Sequence, residues 1–318
     1  MPEQIHENSD DSAPRAGRVA IVGRPNVGKS TLLNALLGQK LSIATSKPQT
    51  TRHRILGVYS ADDPPTQLAF LDTPGLHRPQ NALGRALVEE AQGALAEADV
   101  VLWLVESPTD QSPAEPTLSR QDREVLDLLT PNQGPKLVLG LNKVDKLKDK
   151  TKLLSWLTFY ERELNPVALV PISALKGRGT KQLVTELRKH VPEGVLYDDP
   201  EFLTDRPERF FVAELVREAA IRNTREEVPY AVAVVVDSFE EGERLTRIQA
   251  TVVVEKENHK KIVVGAAGAM LKKIGSEARK EVEQLLGKQV FLGLFVKVVP
   301  NWTEDPASVR RLAMESGS

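Results

Sequence analysis

Residues 23–30 carry the residue types that bind a phosphate chain. The segment reads GRPNVGKS, in which four residues separate Gly23 from Gly28, and Lys29 and Ser30 follow directly. Glycine permits backbone angles that other residues avoid, so this phosphate loop can turn its N–H groups toward an anion at the positive end of the next helix. Lys29 would reach the β- and γ-phosphates, and the Ser30 hydroxyl would bind Mg²⁺. The alternative is a chance glycine turn, which the preceding apolar strand and the following helix disfavour.

Three further polar motifs follow apolar, strand-like runs. They are DTPG at 72–75, NKVD at 142–145 and SALKG at 173–177. The carboxyl ends of parallel strands meet at the sheet edge where ligands bind, so we expect these motifs to converge on the phosphate loop. Asp72 would hold Mg²⁺ through a water molecule, and the Gly75 N–H would meet the γ-phosphate.

The NKVD motif predicts which base is bound. The Asp145 carboxylate can accept hydrogen bonds from the N1–H and the exocyclic amine of guanine, whereas adenine offers neither on that edge. The mismatch would leave a desolvated carboxylate unpaired and can discriminate on the order of 10⁴-fold. Asn142 would bond the base from the side, the Lys143 stem would pack over it, and the Ala174 N–H would donate to guanine O6. Each motif alone has the alternative of an exposed polar turn.

The segment SKPQTTRHR at 46–54 lies between the first predicted helix and the region of the second strand. A threonine in such a loop can bind Mg²⁺ only when the γ-phosphate is present, which gives an order-to-disorder switch. We favour Thr51 as this ligand, with Thr50 as the alternative. The predicted catalytic residues are Lys29, Thr51, Asp72 and Gly75. The predicted nucleotide-binding residues are Gly23, Arg24, Pro25, Asn26, Val27, Gly28, Lys29, Ser30, Thr31, Asp72, Thr73, Pro74, Gly75, Asn142, Lys143, Asp145, Ser173, Ala174 and Leu175.

The motifs require a sheet that brings its strand ends together, and the pattern from 18 to 190 predicts one. Short apolar runs alternate with helix-like stretches, which is typical of a parallel sheet covered by helices on both faces. The apolar runs lie at 19–23, 68–72, 100–106, 136–142 and 167–173, and the helices at 29–38, 81–97, 118–129, 151–163 and 179–190. We therefore expect an α/β fold, a doubly wound and mainly parallel sheet.

The composition is that of an ordinary globular chain. Its 318 residues suggest two domains, and they include 41% hydrophobic and 27% charged residues with a net charge of −2 and no cysteine. The lack of cysteine excludes disulfides and cysteine-ligated zinc and fits the cytosol. No apolar run approaches the roughly 20 residues of a membrane helix. We expect residues 1–17 to be a disordered lead-in and residues 304–318 to be a C-terminal tail.

A change of composition at 191–207 marks the predicted domain boundary. This linker holds three prolines and five acidic residues against one basic residue. The following domain, 208–303, has a different order of elements and should be a smaller α+β fold. We expect a helix at 208–222, strands at 229–238 and 246–257, helices at 268–274 and 276–286, and a strand at 289–299.

A second motif lies in this domain. Residues 265–268 read GAAG, and paired glycines let a backbone come close to a nucleic-acid strand. Residues 255–297 hold nine basic against five acidic side chains, and lysines that could meet phosphates flank the motif. The alternative is a tight glycine turn beside an ordinary solvated face. The predicted RNA-binding residues are Lys260, Lys261, Gly265, Ala266, Ala267, Gly268, Lys272 and Lys273.

These motifs resemble a known family. Residues 18–190 are similar to translation-factor-type GTPases, and KPQTTRHR together with DTPGLH resembles the Era family of ribosome-assembly GTPases. The αββααβ order with its GxxG motif resembles a type II KH domain, which clamps single-stranded RNA. The resemblance implies GTP/GDP and Mg²⁺ as ligands and slow GTP hydrolysis. It also implies binding of small-subunit (16S) ribosomal RNA near its 3′ end, rather than DNA, and assistance in 30S subunit maturation.

The sequence departs from the related patterns at two places. Leu76 stands where Ras-like enzymes have a water-orienting Gln, and both middle GxxG positions are Ala where KH domains often have polar or basic residues. Resemblance to potassium-stimulated relatives implies that Asn26 helps to hold K⁺, with a loop-stiffening hydrogen bond as the alternative. Arg24 as an internal arginine finger is a further alternative.

The resemblance also bears on location and partners. It implies a cytoplasmic protein with peripheral association at the inner face of the membrane, and no obligate protein partner is readable. The alternatives are an RNA-binding module whose GTP site is structural, and a GTPase of another pathway whose C-terminal domain is a protein-interaction platform.

Overall fold

The computed structural model describes residues 13–76, 78–109, 112, 115–129 and 135–314. Two sheets organise these residues, one of six strands and one of three. Across these described ranges, no helix is long and apolar enough to span a bilayer. His77 of the DTPGLH motif and residues 1–12 of the expected lead-in lie outside them.

The first sheet has the strand order β2-β3-β1-β4-β5-β6, and only β2 is antiparallel to its neighbour. Both faces of the sheet are covered. Val19 and Ile21 of β1 belong to one buried cluster, and Ala20 and Val22, which point to the opposite face, belong to another. The expected α/β class is therefore confirmed. The strands are β1 Arg15–Val22, β2 Ile55–Asp62, β3 Pro65–Asp72, β4 Val100–Glu106, β5 Lys136–Asn142 and β6 Ala168–Pro171, and the helices are α1 Lys29–Leu37, α2 Ala82–Glu97, α3 Arg120–Leu129, α4 Lys150–Leu164 and α5 Thr180–Arg188.

The first strand starts earlier than we expected. Strand β1 begins at Arg15, inside the segment 1–17 that we expected to be a disordered lead-in. Arg15 and Ala16 pair with β3, and the Ala16 N–H also donates to Pro192 O at 3.0 Å. The expectation of disorder is thus wrong for residues 15–17, because distant parts of the chain supply their hydrogen-bond partners.

The acidic linker 191–207 packs along the edge of the first sheet. Leu203 O accepts the Val58 N–H of β2 at 2.8 Å, and the Gln67 side chain of β3 donates to Tyr197 O at 2.8 Å. These bonds fix the path of the chain before it enters the second sheet.

The second sheet and its helices form a unit with the order αββααβ, called here the C-terminal unit. Strand β7 pairs antiparallel with β8, and β8 pairs parallel with β9. Its elements are α6 Glu208–Asn223, β7 Ala233–Glu240, β8 Leu245–Val254, α7 Glu257–Val264, α8 Ala269–Leu286 and β9 Gln289–Val298.

Two predictions in the C-terminal unit were wrong in detail. Residues 257–264 form helix α7, although we predicted strand up to 257 and gave the two helices of this region the bounds 268–274 and 276–286. The GxxG motif does lie between two helical elements, as its reading as a loop between helices predicts. The two helices predicted at 268–274 and 276–286 are one continuous helix, α8, in which Gly275 packs against Leu294 of β9 without breaking the helix. Tertiary contacts outweigh the weak helix propensity of this glycine.

The expected C-terminal tail is also helical in its described part. Residues Pro306–Val309 form helix α9, and a wider helical turn continues to Met314. Val309, Leu312 and Ala313 are buried in a cluster with residues of α2. Their spacing of three and four residues forms one apolar stripe, so the tail expectation is wrong for 306–314. Residues 315–318 lie outside the described ranges.

Helix α6 joins the two apolar cores. Phe210 and Phe211 at its start pack in a cluster of the first sheet, whereas Val212 and Val216 pack in the cluster of the C-terminal unit. Ile43 belongs to this second cluster, although it lies in the loop 40–54 between α1 and β2. This loop, called here the switch loop, is therefore covered by α6.

Candidate nucleotide site

The predicted motifs surround a cavity of about 240 Å³ at the carboxyl edge of the first sheet. Predicted residues that line it are Pro25, Asn26, Gly28, Lys29, Ser30, Thr31, Thr51, Gly75, Asn142, Lys143, Asp145, Ala174 and Leu175. Predicted residues that belong to the same motifs without lining it are Gly23, Arg24, Val27, Asp72, Thr73, Pro74 and Ser173. Lining residues that we did not assign are Ile43, Ala44, Thr45, Gln49 and Lys146, together with the alternative Thr50. All of these residues except Lys146 lie in the switch loop, so their position in that loop could have identified them from the sequence.

Two glycines allow the phosphate loop to close around this cavity. Gly23 and Gly28 have φ angles of 146° and 107°, a region that other residues rarely adopt. A Cβ at Gly28 would lie 2.4 Å from Nδ2 of Asn142, so a larger residue would push the NKVD loop away. Helix α1 begins at Lys29 and directs its positive end into the cavity.

Lys29 is buried at the centre of the loop. Its Nζ donates to Gly23 O at 3.1 Å and to Arg24 O at 3.3 Å. Burial lowers the pKa of Lys29 to about 8, and the nearby charge of Asp72 partly opposes this shift. A polyanion bound in the loop would favour the charged amine and raise this pKa again.

Four oxygen-bearing side chains, those of Ser30, Ser42, Thr51 and Asp72, meet beside Lys29. Ser30 Oγ lies 2.8 Å from Thr51 Oγ1 and donates to Asp72 Oδ2 at 2.7 Å. Ser42 Oγ donates to the same carboxylate oxygen at 2.7 Å. Asp72 is fully buried, its Oδ1 has no hydrogen-bond partner, and burial raises its pKa. A buried carboxylate that has one oxygen without a partner and lies beside hydroxyl groups fits Mg²⁺, which takes oxygen ligands and would compensate the charge.

The two threonines weighed as switch ligands point in different directions. Thr50 Oγ1 donates to Lys47 O at 2.7 Å and lies 2.6 Å from Thr45 Oγ1. Thr51 Oγ1 instead faces Ser30. The structure thus brings Thr51, and not Thr50, to Ser30, which in turn donates to Asp72.

The NKVD and SALKG motifs are held together by hydrogen bonds between loops. Ser173 Oγ donates to Asp145 Oδ1 at 2.5 Å, which orients the carboxylate on the cavity wall. Asn142 Nδ2 donates to Val27 O at 2.8 Å, and its Oδ1 accepts the Ala174 N–H at 2.9 Å. Asn142 therefore links the phosphate loop to the SALKG loop. The Ala174 N–H that we expected to face guanine O6 donates to Asn142 here.

Glu106, the last residue of β4, is a part of the site that no motif indicated. Its Oε2 accepts a hydrogen bond from Arg24 Nη2 at 2.5 Å, and its Oε1 accepts one from Lys143 Nζ at 3.0 Å. Burial raises the pKa of Glu106, but the hydrogen bond and charge of Lys143 and the charge of Arg24 outweigh burial, so the pKa is lowered. Lys143 also donates to Asn26 O at 2.7 Å. Glu106 thus anchors both basic side chains; its position at a strand end was the available signal.

The structure also places the two residues at which the sequence raised alternatives about hydrolysis, Asn26 and Leu76. The Asn26 Nδ2 donates to Ser46 O at 2.8 Å, which ties the phosphate loop to the switch loop. This is the hydrogen-bonding alternative that we weighed for Asn26. Leu76 is 1% exposed, so its side chain packs in the core of the first sheet.

The GxxG motif forms a sharp turn between α7 and α8. Gly265, Ala267 and Gly268 have φ angles of 72°, 48° and 79°. Ala266 and Ala267 are exposed, and the space around Gly268 is open. The flanking helices carry exposed Lys261, Lys272 and Lys273 and half-buried Lys260. The turn is therefore a backbone projection with basic groups on either side.

Known proteins share both parts of this architecture. The profile of the 50S ribosome-binding GTPase family matches residues 18–143, and that of the KH domain matches residues 227–303. GTPase Era of Geobacter metallireducens is 47% identical over 304 residues, which are 95% of this chain and 98% of that protein. The chain belongs to the Era family of GTPases.

Solved Era structures resemble this chain over nearly its full length. One is Era in complex with MgGDPNP and nucleotides 1506–1542 of 16S ribosomal RNA; it is 40% identical, covers 94% of this chain and 99% of its own, and has a TM-score of 0.87. A single-substitution variant of Aquifex aeolicus Era bound to GDP and AlF4⁻ is also 40% identical, with the same coverage and a TM-score of 0.86. The fold that we expected for both units is therefore confirmed as the fold of the Era family.

Proposed function

We propose that this chain is a GTP-hydrolysing switch that binds small-subunit ribosomal RNA near its 3′ end and assists maturation of the 30S subunit. One observation carries the proposal: the Era structure with both MgGDPNP and nucleotides 1506–1542 of 16S ribosomal RNA matches over 94% of this chain. The match extends over the nucleotide-binding unit and the KH domain, so both ligands have a counterpart surface here.

The nucleotide would lie with its phosphates on Lys29 and the phosphate-loop N–H groups. Mg²⁺ would be held by the Ser30 and Thr51 hydroxyls and, through water, by Asp72, and it would neutralise charge that develops on the phosphates. The contacts of 2.7 to 2.8 Å among these three side chains support this assignment. The Gly75 N–H would meet the γ-phosphate.

The guanine base would be read by Asp145, which accepts from N1–H and from the exocyclic amine. Ser173 orients this carboxylate, Lys143 would pack over the base, and Asn142 would hold the two base-facing loops at the phosphate loop. A bond from the Ala174 N–H to guanine O6 requires that this donor turn from, or be shared with, Asn142.

Hydrolysis by the isolated protein should be slow. The buried Leu76 cannot hydrogen-bond an attacking water, and the Arg24 guanidinium is engaged by Glu106. A K⁺ ion held with the help of Asn26 would supply positive charge at the phosphates, where other GTPases use an arginine finger.

RNA binding is assigned to the GxxG turn. Ala266 and Ala267 leave the backbone free of side-chain bulk and charge, so the flanking lysines would contact the phosphates. We propose a GTPase domain over 18–190, extended by the strand residues 15–17, and a KH domain over 208–303. We also propose a cytoplasmic protein that touches the membrane only peripherally, through its basic surface.

Fluorescence anisotropy with a labelled oligonucleotide from the 16S 3′ end tests the proposal. Affinity should differ between the GTP-analogue and GDP states, and Lys272→Glu with Lys273→Glu should weaken it. Lys181→Glu is the matched control, because it reverses the charge of an exposed lysine on α5 of the GTPase domain. Absence of RNA affinity at low salt would favour a GTPase whose C-terminal unit is a protein-interaction platform. Turnover below detection would favour a structural GTP site.

A further inference from the structure

The switch loop is attached to α6 at several points along its length. Ile43 is 2% exposed and packs among apolar residues of α6. The Ala44 N–H donates to Glu218 Oε1 at 3.3 Å, and Lys47 Nζ donates to Ile221 O in the last turn of α6 at 2.7 Å. The conformation of the loop therefore depends on a helix of the C-terminal unit.

The residues on either side of Thr51 are held by the C-terminal unit as well. Arg217 Nη2 of α6 donates to Thr50 O at 2.5 Å. The two Nη atoms of Arg52 donate, each at 2.8 Å, to carbonyl oxygens just before β7, those of Tyr230 and Val232. The backbone that carries Thr51 is thus fixed on both sides by contacts outside the first sheet.

Arg217 is itself oriented by a buried carboxylate. Its Nε donates to Glu214 Oε1 at 2.7 Å, and its Nη2 donates to Oε2 at 2.6 Å. Glu214 is 5% exposed and Arg217 is 3% exposed. Burying an ion pair costs desolvation energy, and an apolar pair of similar volume is often at least as stable. A gain in stability therefore does not explain why this ion pair is buried, whereas the orientation that Glu214 gives to the Arg217 guanidinium does.

We propose that Arg217, oriented by Glu214, and Arg52 are positioning residues for GTP hydrolysis, and that they place Thr51 at the Mg²⁺ site. Neither arginine lines the nucleotide cavity, so both act through the backbone of Thr51. The inference rests on the proposed role of Thr51 as Mg²⁺ ligand of the GTP state. Because that ligand is used only with a γ-phosphate, loss of positioning weakens the GTP state and spares the GDP state.

The combined substitution Glu214→Leu and Arg217→Met tests the inference without leaving a buried charge unpaired. Displacement of a fluorescent nucleotide measures the affinities for a non-hydrolysable GTP analogue and for GDP at saturating Mg²⁺. The ratio of the two affinities should shift about tenfold toward GDP, which corresponds to one hydrogen bond from a charged donor, and kcat should fall. Arg52→Met removes the second anchor and should shift the ratio in the same direction, so the test survives if the double variant does not fold.

Arg209→Met is the matched control. Arg209 lies on the same helix, but its guanidinium donates to Val236 O within the C-terminal unit at 3.1 Å. The affinity ratio of this variant should equal that of the unmodified protein. If the anchor variants instead lower the GDP and GTP-analogue affinities equally, their residues have a merely structural role and the inference is overturned.

Thr51→Ala distinguishes a failure of the proposed Mg²⁺ role of Thr51 from a failure of the positioning role of the two arginines. If this substitution leaves the affinity ratio unchanged, the proposed Mg²⁺ role of Thr51 fails. If it shifts the ratio while neither anchor variant does, the positioning inference fails and the proposed function stands. When Thr51→Ala is combined with Glu214→Leu and Arg217→Met, the shift in the affinity ratio should be smaller than the sum of the separate shifts, because all three changes act through one ligand. Additive shifts would overturn the inference.

Discussion

Replacing Asp145 by Asn should change the preferred base from guanine to xanthine. Ser173 Oγ donates to Asp145 Oδ1, and it would donate equally to the Oδ1 of an asparagine. The amide nitrogen then takes the place of Oδ2 and presents N–H groups to the exocyclic position of the base. Xanthine has an oxygen at that position, which accepts a hydrogen bond from the asparagine. Guanine has an amine there, so two hydrogen-bond donors would face each other.

The magnitude follows from the hydrogen bonds that are exchanged. GTP loses a bond to a charged acceptor, about 1.5 to 3 kcal/mol, and leaves desolvated donors facing each other, about 1 to 3 kcal/mol more. With about 4 kcal/mol as the central value and 1.4 kcal/mol per factor of ten, GTP affinity should fall about 10³-fold. The loss is not relieved by rotation of the amide, because Ser173 holds Oδ1 in place.

Calorimetric titration with GTP, xanthosine triphosphate and ATP measures this exchange. The variant should bind xanthosine triphosphate more tightly than GTP, whereas Ser173→Ala should weaken GTP without improving xanthosine triphosphate, because its carboxylate still only accepts. A variant that retains its preference for GTP would refute the base-reading role of Asp145. So would an unmodified protein that binds ATP as tightly as GTP.

Three further outcomes are expected. Gly268→Asp should impair RNA binding in a filter assay and spare GTP binding, because its φ of 79° disfavours a side chain and the new carboxylate repels phosphates. Gly287→Asp, at a φ of 64° beyond the other end of α8, is its control, and an equal RNA-binding loss there would contradict the assignment. GTP hydrolysis should be faster in KCl than in NaCl if Asn26 helps to hold K⁺; equal rates would end that idea. Burial lowers the pKa of His53 to about 4, so between about pH 6.5 and 4 the unfolded chain binds a proton that the folded one does not, and stability falls as pH falls. His53→Phe should remove roughly 2 kcal/mol from the difference in unfolding free energy between pH 7.5 and pH 5, measured in urea, and an unchanged difference would contradict the burial argument.

The parallel sheet was predictable because its elements are locally consistent. The helix predicted at 29–38 is α1 Lys29–Leu37, and the apolar run at 100–106 is β4 Val100–Glu106. Runs buried on both faces and amphipathic helices each carry their own signal. The errors lie where the signal is short. The strand that we predicted up to 257 ends at Val254, and the helix α7 that follows is held by the packing of Val263 in the second core.

The chain ends were mispredicted for a related reason. Strand residues 15–17 have their partners in β3 and at Pro192, and the C-terminal helix packs on α2. A segment whose order depends on partners far along the chain looks like a polar end when it is read alone.

The sequence by itself determined the chemistry of the nucleotide site. The phosphate loop and the strand-end motifs need backbone angles and side-chain types that are local properties, so GRPNVGKS, DTPG and NKVD could be read without a partner. Only the tertiary structure decided which threonine faces Ser30, that Glu106 anchors Arg24, and that α6 holds the switch loop. The direction of a side chain in an irregular loop depends on contacts between separate segments of the chain, from Ser30 with Thr51, 21 positions apart, to Thr50 with Arg217, 167 positions apart. No periodicity within the loop encodes such a contact.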